Sequence, residues 1–317
     1  MVGPEQFEGN RGLRGVLVLA LVILLAACGS EESADLAATA PSDFDEQAWR
    51  ADVEQWREGR MERLTADDGW LSLMALEFPG EGDWLVGNSE RADLRMISGP
   101  EHWGRLRLSE DQAWFEAADA SVRVDGEAVD QAVELLDAMA SDSVQVSAGT
   151  GVFRIQRRPG GLAFRARDAQ AETRLDFEGV SHFPVDPAWR FEAEWQPHDP
   201  PREIEIANVL GELSMSANPG RAVFELDGQR VTLEALEGED SLFFIFADRT
   251  SGRETFGLGR FLYTDLPVDG QVVLDFNRAY NPPCAFTAFT SCPLPPQSNR
   301  INGRIEAGEL RPPNDAY

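Results

Sequence analysis

Cys284 and Cys292 have seven residues between them in a segment, 275–300, that also holds five prolines, three asparagines and four aromatic rings. Two thiols at this spacing in an oxidising compartment are read first as a disulfide across a small loop. Free thiols in a loop already stiffened by proline are the alternative. A metal site would need two further ligands, and the segment contains no histidine. A redox pair would use the two-residue spacing, which is absent. The chain has three histidines, His102, His182 and His198. His182, just ahead of Phe183-Pro184, is the general-base candidate by residue type. A histidine bonded to backbone is the plainer reading of the same position. Asp275 is the second base candidate. Arg260 lies among apolar neighbours, so it either pairs with a carboxylate, Asp248 or Asp275, or holds an anionic ligand. Asp248, Asp275, Asn277, Tyr280, Asn281 and Asn299 are placed to converge with Arg260. That set would hydrogen-bond a polar small molecule or support acid–base work.

The charge balance narrows the classes. The 317 residues carry 28 basic and 55 acidic side chains, a net charge of −27, and contain no lysine, so every fixed cation is an arginine. Schiff-base chemistry, a pyridoxal anchor and a phosphate-loop lysine are excluded. Nucleic acid is not an expected partner, because phosphate binding needs a basic footprint. No nucleophile elbow, zinc-protease helix or dinucleotide loop occurs, so no metal and no cofactor is expected.

These residues need elements to position them. Residues 43–67 read as the one clear helix, capped by Ser42 or Asp43, with Phe44, Trp49, Val53, Trp56 and the stem of Arg60 along one stripe. Trp49 and Trp56 are read as packing residues, with an aromatic binding face as the alternative. From Gly69 onward the period becomes two, with turn residues between short runs. Arg105 to Leu108 alternates, Pro159-Gly160-Gly161 reads as a hairpin turn, and Asp227-Gly228 as another. The expected fold is mainly β: an N-terminal helix followed by two β-sandwich or barrel-like sheets, 68–180 and 181–311. Pro282-Pro283 and Pro295-Pro296 forbid regular structure in 275–300, so that segment should be an ordered loop packed over the sheet.

At the N-terminus, Arg11 and Arg14 precede twelve apolar residues, Val16 to Ala27, too few to span a bilayer and the right length for a signal peptide. Leu25-Ala26-Ala27-Cys28 resembles the lipobox of bacterial lipoproteins. The resemblance implies removal of residues 1–27, acylation of Cys28 and membrane attachment through that lipid. Residues 28–42 then form a flexible tether. Gly29 after the cysteine implies an outer-membrane lipoprotein facing the periplasm rather than one in the inner membrane.

The run Asp275-Phe276-Asn277-Arg278-Ala279-Tyr280-Asn281-Pro282-Pro283-Cys284-Ala285-Phe286, with Cys292-Pro293-Leu294-Pro295-Pro296, resembles the signature of the domain of unknown function 1684 family. Residues 245–252, 259–263, Asn299-Arg300 and 305–309 match as well, and Gly69-Trp70-Leu71 is similar. The resemblance covers roughly residues 50–309 and implies no established activity. The expected function is therefore that of a lipid-anchored cell-envelope protein binding a polar or anionic small molecule beside the signature. A hydrolase using His182 or Asp275 with Arg260 is one alternative, and a structural or partner-binding lipoprotein is another.

Overall fold

In the computed structural model, residues 44–136 and 144–313 are described. The expected signal peptide (1–27), Cys28 and the expected tether (28–42) all lie outside them. Helix α1 (Glu46–Thr65) begins where Asp45 accepts a hydrogen bond from the amide of Ala48, so Asp45 is the cap rather than the residues two or three before it. It buries Trp49, Val53, Arg60 and Leu64. Trp70–Ser72, expected as strand, is a single 3-10 turn leading into β1.

The first group of strands is β1 (Leu73–Glu77), β2 (Gly82–Gly87), β3 (Leu94–Arg95), β4 (Gly104–Leu108), β5 (Ala113–Ala117) and β6 (Arg123–Val124). It continues with β7 (Glu127–Ala128), β8 (Val133–Glu134), β9 (Gln145–Ala148), β10 (Gly151–Arg158) and β11 (Gly161–Asp168). They form a six-stranded sheet in the order β1-β11-β10-β9-β6-β7 and a five-stranded one in the order β3-β2-β4-β5-β8. Alternation does the work here: β4 buries Gly104, Leu106 and Leu108 and exposes Arg105 and Arg107. The two inner faces share one core around Phe153, whose ring lies 5.0 Å from Phe164, 5.4 Å from Phe115 and 6.1 Å from Trp103. Each fully buried ring of this kind contributes roughly 1.5–3 kcal/mol.

A one-turn helix, Glu172–Leu175, leads to the second group. It comprises β12 (Arg190–Ala207), β13 (Leu213–Leu226), β14 (Gln229–Glu234), β15 (Leu236–Glu237), β16 (Leu242–Phe246), β17 (Arg260–Thr264) and β18 (Gln271–Asp275). The orders are β14-β13-β12-β18 and β15-β16-β17, and no sheet among the described residues closes into a barrel. What reads in sequence as two strands either side of Pro197–Pro201 is one long strand, β12, whose register against β13 slips between Pro197 and Arg202. The slip absorbs prolines that cannot donate to a ladder. Residues 276–300 follow as an irregular segment held by three 3-10 turns. Phe276 is fully buried and Phe286 nearly so, whereas Phe289 is exposed. Cys284 and Cys292 are bridged. The fold is mainly β with an N-terminal helix.

Candidate functional site

The proline-rich segment lacks ladder partners, and its polar side chains stand in for them. Asn277 accepts from the amide of Asp186 and donates to the carbonyl of Asp186, both at 3.0 Å. Asn299 donates to the carbonyls of Glu234 (2.8 Å) and Ile245 (3.0 Å) and accepts from the amide of Glu234 (2.8 Å), joining β14 to β16. Asn281 donates to the carbonyl of Leu310 at 2.7 Å. Asp275 accepts the indole N–H of Trp49 at 2.7 Å and both the amide and the side chain of Asn277, tying α1 to the end of β18. Buried amides used this way satisfy backbone groups that would otherwise be orphaned.

Arg260 is fully buried. Its guanidinium donates to the carbonyls of Ala307 and, at 3.0 Å, of Ile305, and stands 3.6 Å from Asp248. Asp248 in turn accepts the amide of Ile305 at 2.5 Å and the hydroxyl of Thr250 at 2.7 Å. Burial lowers the Arg260 pKa to about 10, with Asp248 and Glu309 opposing the shift, so the group stays charged at neutral pH. Arg260 and Asp248 are thus placed in an internal latch on the C-terminal residues. His182 bridges to Glu309 through backbone, and burial, followed by the charge of Arg57, lowers its pKa to about 4. It is held neutral, and its Nε2 has no hydrogen-bond partner among the described residues. His182, Asp275 and Arg260 make no hydrogen bond or ion pair with one another.

Tyr280 alone of the expected binding residues reaches an open cleft. This cleft, about 490 Å3, is walled by Trp56, Arg60 and Arg63 of α1, by Asp68-Gly69-Trp70, and by Tyr263, Arg278 and Tyr280. Tyr263 and Tyr280 are near-parallel at 6.4 Å, and Trp56 lies 6.1 Å from Tyr280. The Arg60 guanidinium stacks 4.6 Å from Tyr280 and 4.9 Å from Trp70. Arg60 is fixed from behind: Glu309 accepts from it at 2.9 Å and the carbonyl of Asn281 at 3.0 Å. Arg278 pairs with Asp52 and stands 3.6 Å from Asp275. Arg63 is exposed and makes no hydrogen bond or ion pair with a described residue. Burial raises the pKa of both tyrosines, so both phenols are neutral donors at physiological pH.

Trp56 and Arg60 were visible in the sequence as helix-stripe residues, read first as packing, with an aromatic binding face as the alternative for Trp56. Arg63, Asp68, Trp70, Tyr263 and Arg278 were not singled out as site residues. The available signal was Trp56, Arg60 and Arg63 at spacings of four and three, which share a helix face.

A family model described as "Protein of unknown function (DUF1684)" matches residues 175–310. The solution NMR structure of an uncharacterized protein of Haloarcula marismortui is 34% identical to this chain, over 43% of this chain and 78% of that one, with a TM-score of 0.36. This chain belongs to the DUF1684 family. The match begins at Leu175, so α1, Gly69-Trp70-Leu71 and the first two sheets lie outside it, and the cleft takes Tyr263, Arg278 and Tyr280 from the matched residues and the rest of its wall from the preceding chain. No curated protein matches the chain.

Proposed function

We propose that this DUF1684 protein binds a small anionic molecule carrying a planar or sugar ring, in the cleft between α1 and the signature. One observation carries the reading: an arginine with no ion pair among the described residues, Arg63, stands beside a cluster of aromatic rings in a chain of net charge −27. Arg60 and Arg278 are already neutralised by Glu309 and Asp52, which leaves Arg63 as the cation available to a ligand. Rings supply stacking area, and a guanidinium supplies paired donors to a carboxylate or phosphate. The test is a thermal-shift and tryptophan-fluorescence titration with aromatic carboxylates and nucleoside monophosphates. Binding by a member of these classes, lost in Arg63→Glu and kept in the distant surface variant Arg230→Glu, is the expected result. Equal binding by Arg63→Glu, or no binding by any member, overturns it.

The same reading keeps the body on a lipid at Cys28, as the lipobox resemblance implies. A Cys28→Ser variant should move from the membrane to the soluble fraction; a variant that stays with the membrane refutes the anchor.

A further inference from the structure

A second group of arginines lies on the outer face of the six-stranded sheet. Arg154 of β10 is the direct cross-strand partner of Arg165 of β11, and Val152 that of Arg167. On its other side Arg165 faces Leu76 of β1. The alternation of both strands puts Arg154, Arg158, Arg165 and Arg167 on this one half-buried face, opposite the core residues Phe153, Ile155 and Phe164. A shallow cleft of about 310 Å3 runs over it, lined by Arg154, Gln156, Arg165, Arg167 and the Asp68-Gly69-Trp70 wall.

Among the described residues, none of the four cations forms an ion pair with a carboxylate. Arg154 donates to the side chain of Gln145 at 2.7 Å, and its buried Nε has no partner among the described residues. Arg167 donates to the carbonyl of Asp68 at 3.1 Å. Arg158 donates to Ser291 at 3.1 Å and to Gln156 at 3.3 Å. Arg165 makes no hydrogen bond or ion pair with a described residue. Burial and the charges of Arg158 and Arg167 both weaken its hold on its proton. Like charges directly opposite on a sheet are destabilising. The chain carries 55 acidic residues, and none of the described ones forms an ion pair with these four.

The geometry points to an oxyanion-binding site on this face, in which Arg154, Arg165 and Arg167 take the oxygens of a phosphate-class group, in the form of a soluble phosphate ester or diphosphate. Guanidinium forks match such oxygens in pairs. A soluble source fits better than an anionic lipid surface, which the net charge of the whole chain would repel. The site shares only the Asp68-Gly69-Trp70 wall with the aromatic cleft and does not depend on a ligand there.

The test is calorimetric titration of the full chain with pyrophosphate at fixed ionic strength, with phosphatidylglycerol vesicles as a second arm. Pyrophosphate should bind the wild type and bind Arg165→Gln and Arg154→Gln about tenfold more weakly, the effect of one charge-assisted hydrogen bond. Arg63→Gln should bind it unchanged, which separates this site from the aromatic cleft. Ligand-free Arg165→Gln should also melt higher than wild type, because repulsion is relieved. Equal pyrophosphate affinity in wild type and Arg165→Gln, or none in either, overturns the proposal. Vesicle binding lost in Arg165→Gln without pyrophosphate binding would overturn the soluble source.

Discussion

A guanidinium closed off from water is tolerated when its charge is matched and most of its donors are occupied. In Arg260 both terminal nitrogens donate to backbone carbonyls and Asp248 matches the charge, while Nε has no partner among the described residues, so its truncation should be felt as stability and not as binding. Arg260→Ala leaves Asp248 as an uncompensated buried charge and should lower the unfolding free energy by about 3–5 kcal/mol in urea titration. A variant within 1 kcal/mol of wild type, roughly a surface-pair effect, would show that the latch is not holding residues 305–307. His182 gives a pH test with a definite sign. Its folded pKa, about 4, lies below the ordinary 6.5, so between these values the unfolded chain binds more protons than the folded one. Its contribution is therefore present above pH 6.5 and is lost as pH falls toward 4. Carboxylates titrate in the lower part of that window too, so the difference between wild type and His182→Gln isolates it. The stability advantage of wild type, or its deficit, should move toward the variant's disfavour at pH 7 and the variant's favour at pH 4.5. A pH-independent difference would place His182 in an environment that does not oppose its charge. The residue types were legible in sequence, but their exposure was not. An arginine among apolar neighbours reads the same whether it faces a ligand or the carbonyls of Ile305 and Ala307.

At the scale of elements, α1 is fastened to the C-terminal half by polar contacts more than by an apolar stripe. Trp49 reaches Asp275, Arg57 reaches the carbonyl of Phe183 at 3.1 Å, and Arg60 reaches Glu309. Trp49→Phe keeps most of the ring burial and removes one hydrogen bond to a carboxylate. It should lower stability by about 1.5–3 kcal/mol in urea titration. A loss below about 0.5 kcal/mol would mean that the ring alone anchors the helix. The local elements were legible where one rule sufficed. Alternation gave β4, the Gly160-Gly161 turn joins β10 to β11, and Asp227-Gly228, both at positive φ, turns β13 into β14. The continuous β12 was not, because Pro197, Pro200 and Pro201 punctuate it locally and only pairing with β13 carries the strand across them. The aromatic cleft was hidden for a different reason. Its walls come from residues 56–70 and 263–280, some 200 positions apart, and no local pattern brings them together.

For the whole molecule the dominant quantity is charge. With 55 acidic and 28 basic side chains, folding brings a net −27 into a small volume, and that self-repulsion opposes the compact state. The two candidate clefts run against that balance, with Arg60, Arg63 and Arg278 lining one and Arg154, Arg165 and Arg167 the other. Screening should therefore act in opposite directions on stability and on binding. The Debye length falls from about 10 Å at 0.1 M salt to about 3 Å at 1 M, which removes most of the repulsion between exposed carboxylates. The urea midpoint should consequently rise between 10 mM and 1 M sodium chloride. Over the same range, anion affinity at the arginine-bearing clefts should fall, because those guanidinium–oxyanion contacts are half-open to solvent. The internal latch at Arg260 is shielded from salt by its burial and should not follow the trend, so the deficit of Arg260→Ala should be nearly the same at both concentrations. A midpoint that falls with salt would mean that exposed arginine–carboxylate pairs, such as Arg304 with Glu254 and Glu306, outweigh the net repulsion.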